Sequence, residues 1–273
     1  MNRGRALGII LFAVLALALA PIYWMILGSI TPASRIGSWP PELLYVAHPT
    51  GVHYTEAFVK NPFGTYMVNS LVVATSTTFC VVLLGSLAAY AIARMPIKGS
   101  GPLMVVTLVV STFPALSAIM PLYAIMKNLH WLNSYQALII PYTAFNLPFS
   151  IWILRNYFLG LPREFEESGY VDGAGTMRVL YSIILPVSVP GLFTAALFAF
   201  FACWSEFIMA LTFNSTAATR TIPVGIGLFG GEYVTAYGTM FAAAAVCILP
   251  IVLLVIIFNR WIISGLMSGA VKG

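Results

Sequence analysis

LGIILFAVLALALAPIYWMILGSI, running from Leu7 to Ile30, contains no Asp, Glu, Lys, Arg or His. A helix needs about 20 predominantly apolar residues to cross a bilayer, and this stretch has them. It follows MNRGR, a basic start like that of a secretory signal, but its apolar run exceeds the roughly 7 to 15 residues of a signal core. It reads as a retained first transmembrane helix, with Tyr23 and Trp24 placed near an interface.

Working outward, five more stretches meet the same test: Met67 to Ala93, Leu103 to Met126, Ala137 to Phe158, Val187 to Phe213 and Thr239 to Ile263. The 273 residues are 60% hydrophobic and 8% charged, far from the roughly 25% charge of soluble domains. The composition predicts an all-α integral membrane protein of six transmembrane helices, a single domain over 1–273 with no linker. Sorting the basic residues by loop places Arg3, Arg5, Arg94, Lys98, Arg155, Arg163, Arg178, Arg260 and Lys272 on one side. Arg35, Lys60, Lys127 and Arg220 fall on the other. The positive-inside rule makes the first side cytoplasmic, with both termini on it. The net charge of +5 is then mostly topology, and no basic face for nucleic acid is present.

The connections divide unequally. Five prolines (Pro32, Pro40, Pro41, Pro49 and Pro62) break the long outer loop from Thr31 to Tyr66, which retains room for a short helix over Tyr54 to Lys60. The third outer segment, Asn214 to Gly238, reads as flexible or tightly turned. Its glycine run, GIGLFGG at Gly225 to Gly231, is followed by Glu232 and lacks the Lys-Ser/Thr of a phosphate loop. His48, His53 and His130 have no metal-ligand spacing to Cys or acidic residues, and Cys80, Cys203 and Cys247 read as small core residues. No catalytic set emerges from either side of the membrane.

The longest inner connection reads REFEESGYVDGAGTMRVLYSIILP at 163–186 and holds half of the eight acidic residues. Pro162 suits a first helical position, and Glu164, Glu166 and Glu167 favour a helix N-terminus. These predict a short helix from Arg163 to about Tyr170. Asp172, Gly173 and Gly175 favour a turn, after which Met177 to Leu185 resumes an apolar helix that Pro186 and Pro190 break or kink. The small residues interleaved with the charges suit a knob pressed into a partner's groove.

Glu167-Ser168-Gly169, three residues, Gly173, nine residues, Ile183, one residue and Leu185-Pro186 resemble the EAA loop of bacterial ABC importer membrane subunits. Ser168 and Gly169 stand where that family usually has two alanines. PLYAIMKNLHWLNSYQALIIPY at Pro121 to Tyr142, WSEF at Trp204 to Phe207 and GLMSGAVKG at Gly265 to Gly273 extend the likeness over nearly the whole chain. They are similar to carbohydrate-uptake permeases of the maltose-type second membrane subunit.

The resemblance implies a subunit of the bacterial cytoplasmic (inner) membrane that imports a sugar or sugar-like solute, such as an oligosaccharide, polyol or glycerol phosphate. It implies a second homologous permease subunit, two ATPase subunits, and an extracytoplasmic solute-binding protein. ATP and Mg would sit on the ATPase, with no cofactor on this chain. Glu166, Glu167, Asp172, Gly173, Ala174, Leu185 and Pro186 are the residues it assigns to ATPase coupling, and Ser268 to Gly273 would reach toward the same interface.

Within the membrane, Glu206 precedes Phe213 by seven residues, which sets it about 10 Å from the outer end of a continuous helix. Intramembrane carboxylates are costly and mark function by default. A cavity-facing group for solute hydroxyls and a hydrogen bond between helices are both open readings. Tyr123, Tyr142, Asn146 and Trp204 are further candidates for a solute pathway, with Pro114, Pro121 and Pro148 to bend the helices around it. The rival class is a self-contained secondary transporter or channel with Glu206 as its ion site, distinguished by uptake that needs no ATPase partner.

Overall fold

The computed structural model describes residues 3–39, 46–112, 114–229 and 236–270, which contain helices and turns but no strand. The first helix, α1 (Arg3–Ile30), is followed by α2 (Val52–Thr55), a π turn over Glu56–Lys60, and α3 (Phe63–Arg94). Next come α4 (Ser100–Ser111), α5 (Ala115–Asn128), α6 (Gln136–Leu159) and the short α7 (Glu164–Val171). A π turn over Leu180–Ile184 joins α8 (Thr176–Val179) to α9 (Leu185–Val187), which leads to α10 (Val189–Ser205). The order ends with α11 (Ile208–Phe213), α12 (Ile222–Gly227) and α13 (Tyr237–Ala270).

Helices α1, α3, α6 and α13 are long and apolar enough to cross a membrane, and two bent pairs bring the count to six if each pair is one crossing. The pairs are α4 with α5, bent by 86°, and Thr176–Val187 with α10, bent by 81°. The bends at Pro114 and beside Pro186 fall at prolines read as bending or breaking the chain, whereas the break at Glu206 interrupts a stretch read as continuous. Pro114 forms the N-cap of α5 with an extended ψ of 114°; it has no N–H to give and disfavours helix in the residue before it. In the fifth stretch the backbone of Glu206 is extended (φ −71°, ψ 130°), separating α10 from α11. Pro121 lies inside α5, and Pro141 and Pro148 inside α6, so they interrupt neither helix. Pro186, inside α9, follows directly on the π turn that adjusts the backbone before the bend at Ser188.

Helix α3 ties the two ends of the molecule together. At one end Asn69 Nδ2 donates to the carbonyls of Ala218 and Arg220 at 2.9 and 2.8 Å, and Tyr135 Oη donates to Asn69 Oδ1 at 2.8 Å. Ile222 N donates to Ser70 Oγ at 2.8 Å, so the start of the segment read as flexible is pinned to α3. Tyr66, Val73, Leu138, Tyr142, Phe213 and Ile222 belong to the core at this end. Tyr90, Leu154, Phe158, Val179, Leu180 and Ile184 form a second core at the other.

Much apolar surface faces outward: Phe12 is 74% and Leu17 78% exposed on α1. Among lipid tails that surface gives helices no reason to associate, so contact comes from close fit at small residues. A Cβ on Gly191 of α10 would stand 2.5 Å from the ring of Tyr157 on α6. The glycine run earns its composition in the same way. A Cβ on Gly225 would clash with the Tyr66 ring; Gly230 and Gly231 of that run, and Glu232 after it, lie outside the described residues.

Candidate functional site

Helix α7 begins where the charges predict, one residue later than expected: Arg163 is the N-cap, and Glu166 N and Glu167 N donate to its carbonyl at 2.9 and 3.1 Å. Pro162 therefore precedes the helix rather than opening it. Three carboxylates in the first turn favour the positive end of the helix dipole. The helix stops in a Schellman turn: Ala174 N donates to Gly169 O and Gly173 N to Tyr170 O, both at 3.0 Å. Gly173 holds the left-handed position at φ +77°, where any Cβ would be strained.

Gly169 serves a different need. A Cβ there would stand 2.7 Å from Ile183 Cδ1 and 3.0 Å from Val179 Cγ2. Helix α7 thus folds back onto the α8–α9 segment at glycine distance, while Ser168 is exposed and bonds the carbonyl of Phe165 at 3.0 Å.

The assigned coupling residues do not share one environment. Glu167, Asp172, Gly173 and Pro186 are exposed, and Ala174 and Leu185 are half-buried. Glu166 departs from the expected surface role: it is 8% exposed, with its Oε1 2.7 Å from Arg94 Nε. Arg94 Nη2 also donates to the carbonyl of Leu161 at 2.8 Å. Beside this pair a cavity of about 470 Å³ is lined by Tyr90, Arg94, Arg163, Glu167, Tyr170 and Thr176, among others. Sequence reading missed the pair because no local spacing links positions 94 and 166.

A second polar group lies where α10 breaks. Glu206 Oε1 accepts from Met209 N at 2.9 Å, and Oε2 accepts from Ala210 N at 3.1 Å and from Tyr142 Oη at 2.5 Å. The carboxylate caps α11 and ties it to α6, satisfying N–H groups that the break would leave without partners. Asn146 Nδ2 donates to the Tyr142 carbonyl at 2.8 Å and lies 3.8 Å from Cys203 Sγ. Trp204, 4% exposed, stacks on Phe200 with ring centroids 5.4 Å apart. Its ring belongs to the core at this end. Tyr123 packs against Phe213 at 6.4 Å. Tyr142, Asn146 and Glu206 are thus linked in one network, and Tyr123 and Trp204 contribute packing. Of the tail, 268–270 continue α13 as backbone, and 271–273 lie outside the described residues.

Comparisons with known proteins give the fold and site their context. The chain is 38% identical over 272 residues to the trehalose/maltose transport system permease protein MalG of Thermococcus litoralis, covering 98% of this chain and 95% of that one. It is 37% identical over 256 residues to the sulfoquinovosyl glycerol transport system permease protein SmoH of Agrobacterium fabrum, covering 93% and 89%. A bacterial ABC transporter involved in import of the acidic polysaccharide alginate has the same fold, with a TM-score of 0.80 at 19% identity over 96% of this chain and 98% of that one. Residues 81–267 match the family described as binding-protein-dependent transport system inner membrane component, and the chain belongs to that family.

Proposed function

We propose that this chain is the membrane-spanning subunit of an ATP-driven importer for a sugar or sugar-like solute. It works in the bacterial cytoplasmic membrane beside a second permease subunit, two ATPase subunits and an extracytoplasmic binding protein. The carrying observation is the EAA-spaced helix and turn at α7, with Glu167, Asp172 and Gly173 exposed at one end of the molecule. Relatives that transport trehalose, maltose and sulfoquinovosyl glycerol support the solute class.

In this mechanism the ATPase pair holds ATP and Mg and grips α7. Glu167 and Asp172 offer charged contacts, Gly173 fixes the turn that presents them, and Ala174, Leu185 and Pro186 form the adjoining surface. Closure of the pair pushes α7 and reorients the helices around the solute path, near which Tyr142, Asn146 and Glu206 lie. An ion-coupled carrier built on Glu206 is disfavoured because three hydrogen bonds already engage that carboxylate.

The test is tagged purification from the native membrane in mild detergent, with mass spectrometry of what accompanies the chain, for wild type and Glu167→Arg. The expected result is an ATPase and a second permease with wild type, and loss of the ATPase alone from the variant. A wild-type chain that emerges without an ATPase overturns the reading.

A further inference from the structure

We propose that Arg94 and Glu166 form the joint through which movement of α7 enters α3, a positioning pair behind the surface that a partner grips. This rests on the reading of α7 as the coupling helix. Arg94 lies in the last turn of α3, and the side chains of Arg94 and Glu166 are only 6% and 10% exposed. The guanidinium meets two groups on the α7 side at once: it pairs in charge with the Glu166 carboxylate at 2.7 Å and donates a hydrogen bond to the Leu161 carbonyl at 2.8 Å. A buried charge pair backed by a hydrogen bond to the adjoining backbone resists separation. Removing either charge leaves the other buried without a counter-ion, a costly state that keeps the pair closed under load.

The covalent routes out of α7 are poorly suited to the same task. On its N-terminal side the chain turns through Gly160–Pro162, and on its C-terminal side it passes Gly173 and Gly175 into a four-residue helix and a π turn. Such irregular segments yield before a continuous helix does. Helix α3 runs 32 residues without a break, and from Arg94 it reaches Asn69 about 38 Å away at about 1.5 Å per residue. Asn69 holds the carbonyls of Ala218 and Arg220, so displacement of α3 at Arg94 is carried to the opposite end of the molecule.

The experiment uses the complete transporter with Cys80, Cys203 and Cys247 replaced by alanine and a reporter Lys60→Cys just before α3. Two quantities are read: nucleotide trapped by vanadate on the ATPase, and the rate at which a membrane-impermeant maleimide labels the reporter with and without trapping. In the otherwise wild-type complex, trapping changes the labelling rate. In Arg94→Gln, trapping is retained while the coupling of reporter to nucleotide falls about tenfold, within the range usual for linked sites. The double exchange Arg94→Glu with Glu166→Arg restores part of the response.

An Arg94→Gln reporter that responds like wild type overturns the proposal. So does loss of the ATPase from that variant, which would make the pair part of docking rather than transmission. If Arg94→Gln fails to reach the membrane, Arg94→Lys, which keeps the charge but not the guanidinium's reach to both Glu166 and Leu161, decides it: a reduced response supports the joint and an unchanged one overturns it. A wild-type complex without an ATPase overturns the functional reading and the joint together, and is recognised before any variant is compared.

Discussion

Glu206 illustrates how a single residue can be read correctly as costly while its use stays open between a cavity-facing group and a hydrogen bond between helices. The sequence places a carboxylate in an apolar stretch, and hydropathy makes it an exception that demands a reason. The structure supplies one: two backbone N–H groups at the start of α11 and one tyrosine hydroxyl donate to it. Replacing it with glutamine removes one acceptor oxygen and sets an amide N–H₂ against donors. Glu206→Gln is expected to lower the stability of the detergent-solubilised protein by about 1–2 kcal/mol, the usual range for a lost cap, read as a lower thermal midpoint. An unchanged midpoint would show that the carboxylate is not holding the break. Gly173 lies at the other extreme of legibility. Its position after Asp172 at the end of a short acidic helix predicted a turn, and its positive φ is the local conformation that glycine best permits.

Among the elements, the short helix α2 and its π turn form a latch that joins the ends of α1 and α13. His53 Nε2 lies 2.8 Å from the Thr31 carbonyl, and Ser29 Oγ and Tyr54 Oη share a hydrogen bond of 2.8 Å. Glu56 accepts from Lys60 Nζ at 3.0 Å and from Thr239 Oγ1 at 2.8 Å. Its bond from Lys60, then that from Thr239, holds its carboxyl below the ordinary value of 4.5. A carboxylate depressed in the folded state stabilises the fold above its unfolded value, and that contribution disappears as pH falls through the folded one. Thermal midpoints of wild type and Glu56→Gln are therefore expected to differ by a constant amount across neutral pH and to converge only in acid, below 4.5. Convergence near neutrality would show that the Glu56 carboxylate does not hold the latch. The sequence marked this helix by its place among prolines, but not its contacts, since Glu56 and Thr239 are 183 residues apart. Pro114 marked its own bend, but the break at Glu206 escaped because the flanking residues keep the hydropathy high on both sides.

At the scale of the whole molecule, the structure gathers the residues proposed for coupling at one end and the Asn69 contacts at the other. The end occupied by Arg94, Arg163 and α7 is the one that the basic-residue count made cytoplasmic. Single cysteines at Asp172 and Lys60, both exposed, give a direct measure of this orientation in a background lacking the three native cysteines. Impermeant maleimide is expected to label the Lys60 position in intact cells and the Asp172 position only after the membrane is opened. The reverse pattern would invert the topology. Composition made the membrane class and the spans readable because each depends on sums over about 20 residues. The tie between α3 and α7 depends on one pair of side chains brought together by tertiary folding, and no such sum reports it.

The contact at Gly169 also bears on exchange between related transporters. The gap between α7 and the α8–α9 segment is one hydrogen atom wide at that position, with Ile183 Cδ1 and Val179 Cγ2 filling the space a methyl group would need. Placing alanine there, as the family usually has, forces α7 outward or Ile183 aside. A loop grafted from a relative into this scaffold would therefore have to turn Ile183 aside, or else offer a foreign ATPase an interface at a different height. Mixed assemblies of subunits from different importers should be limited by this spacing even where every surface charge matches.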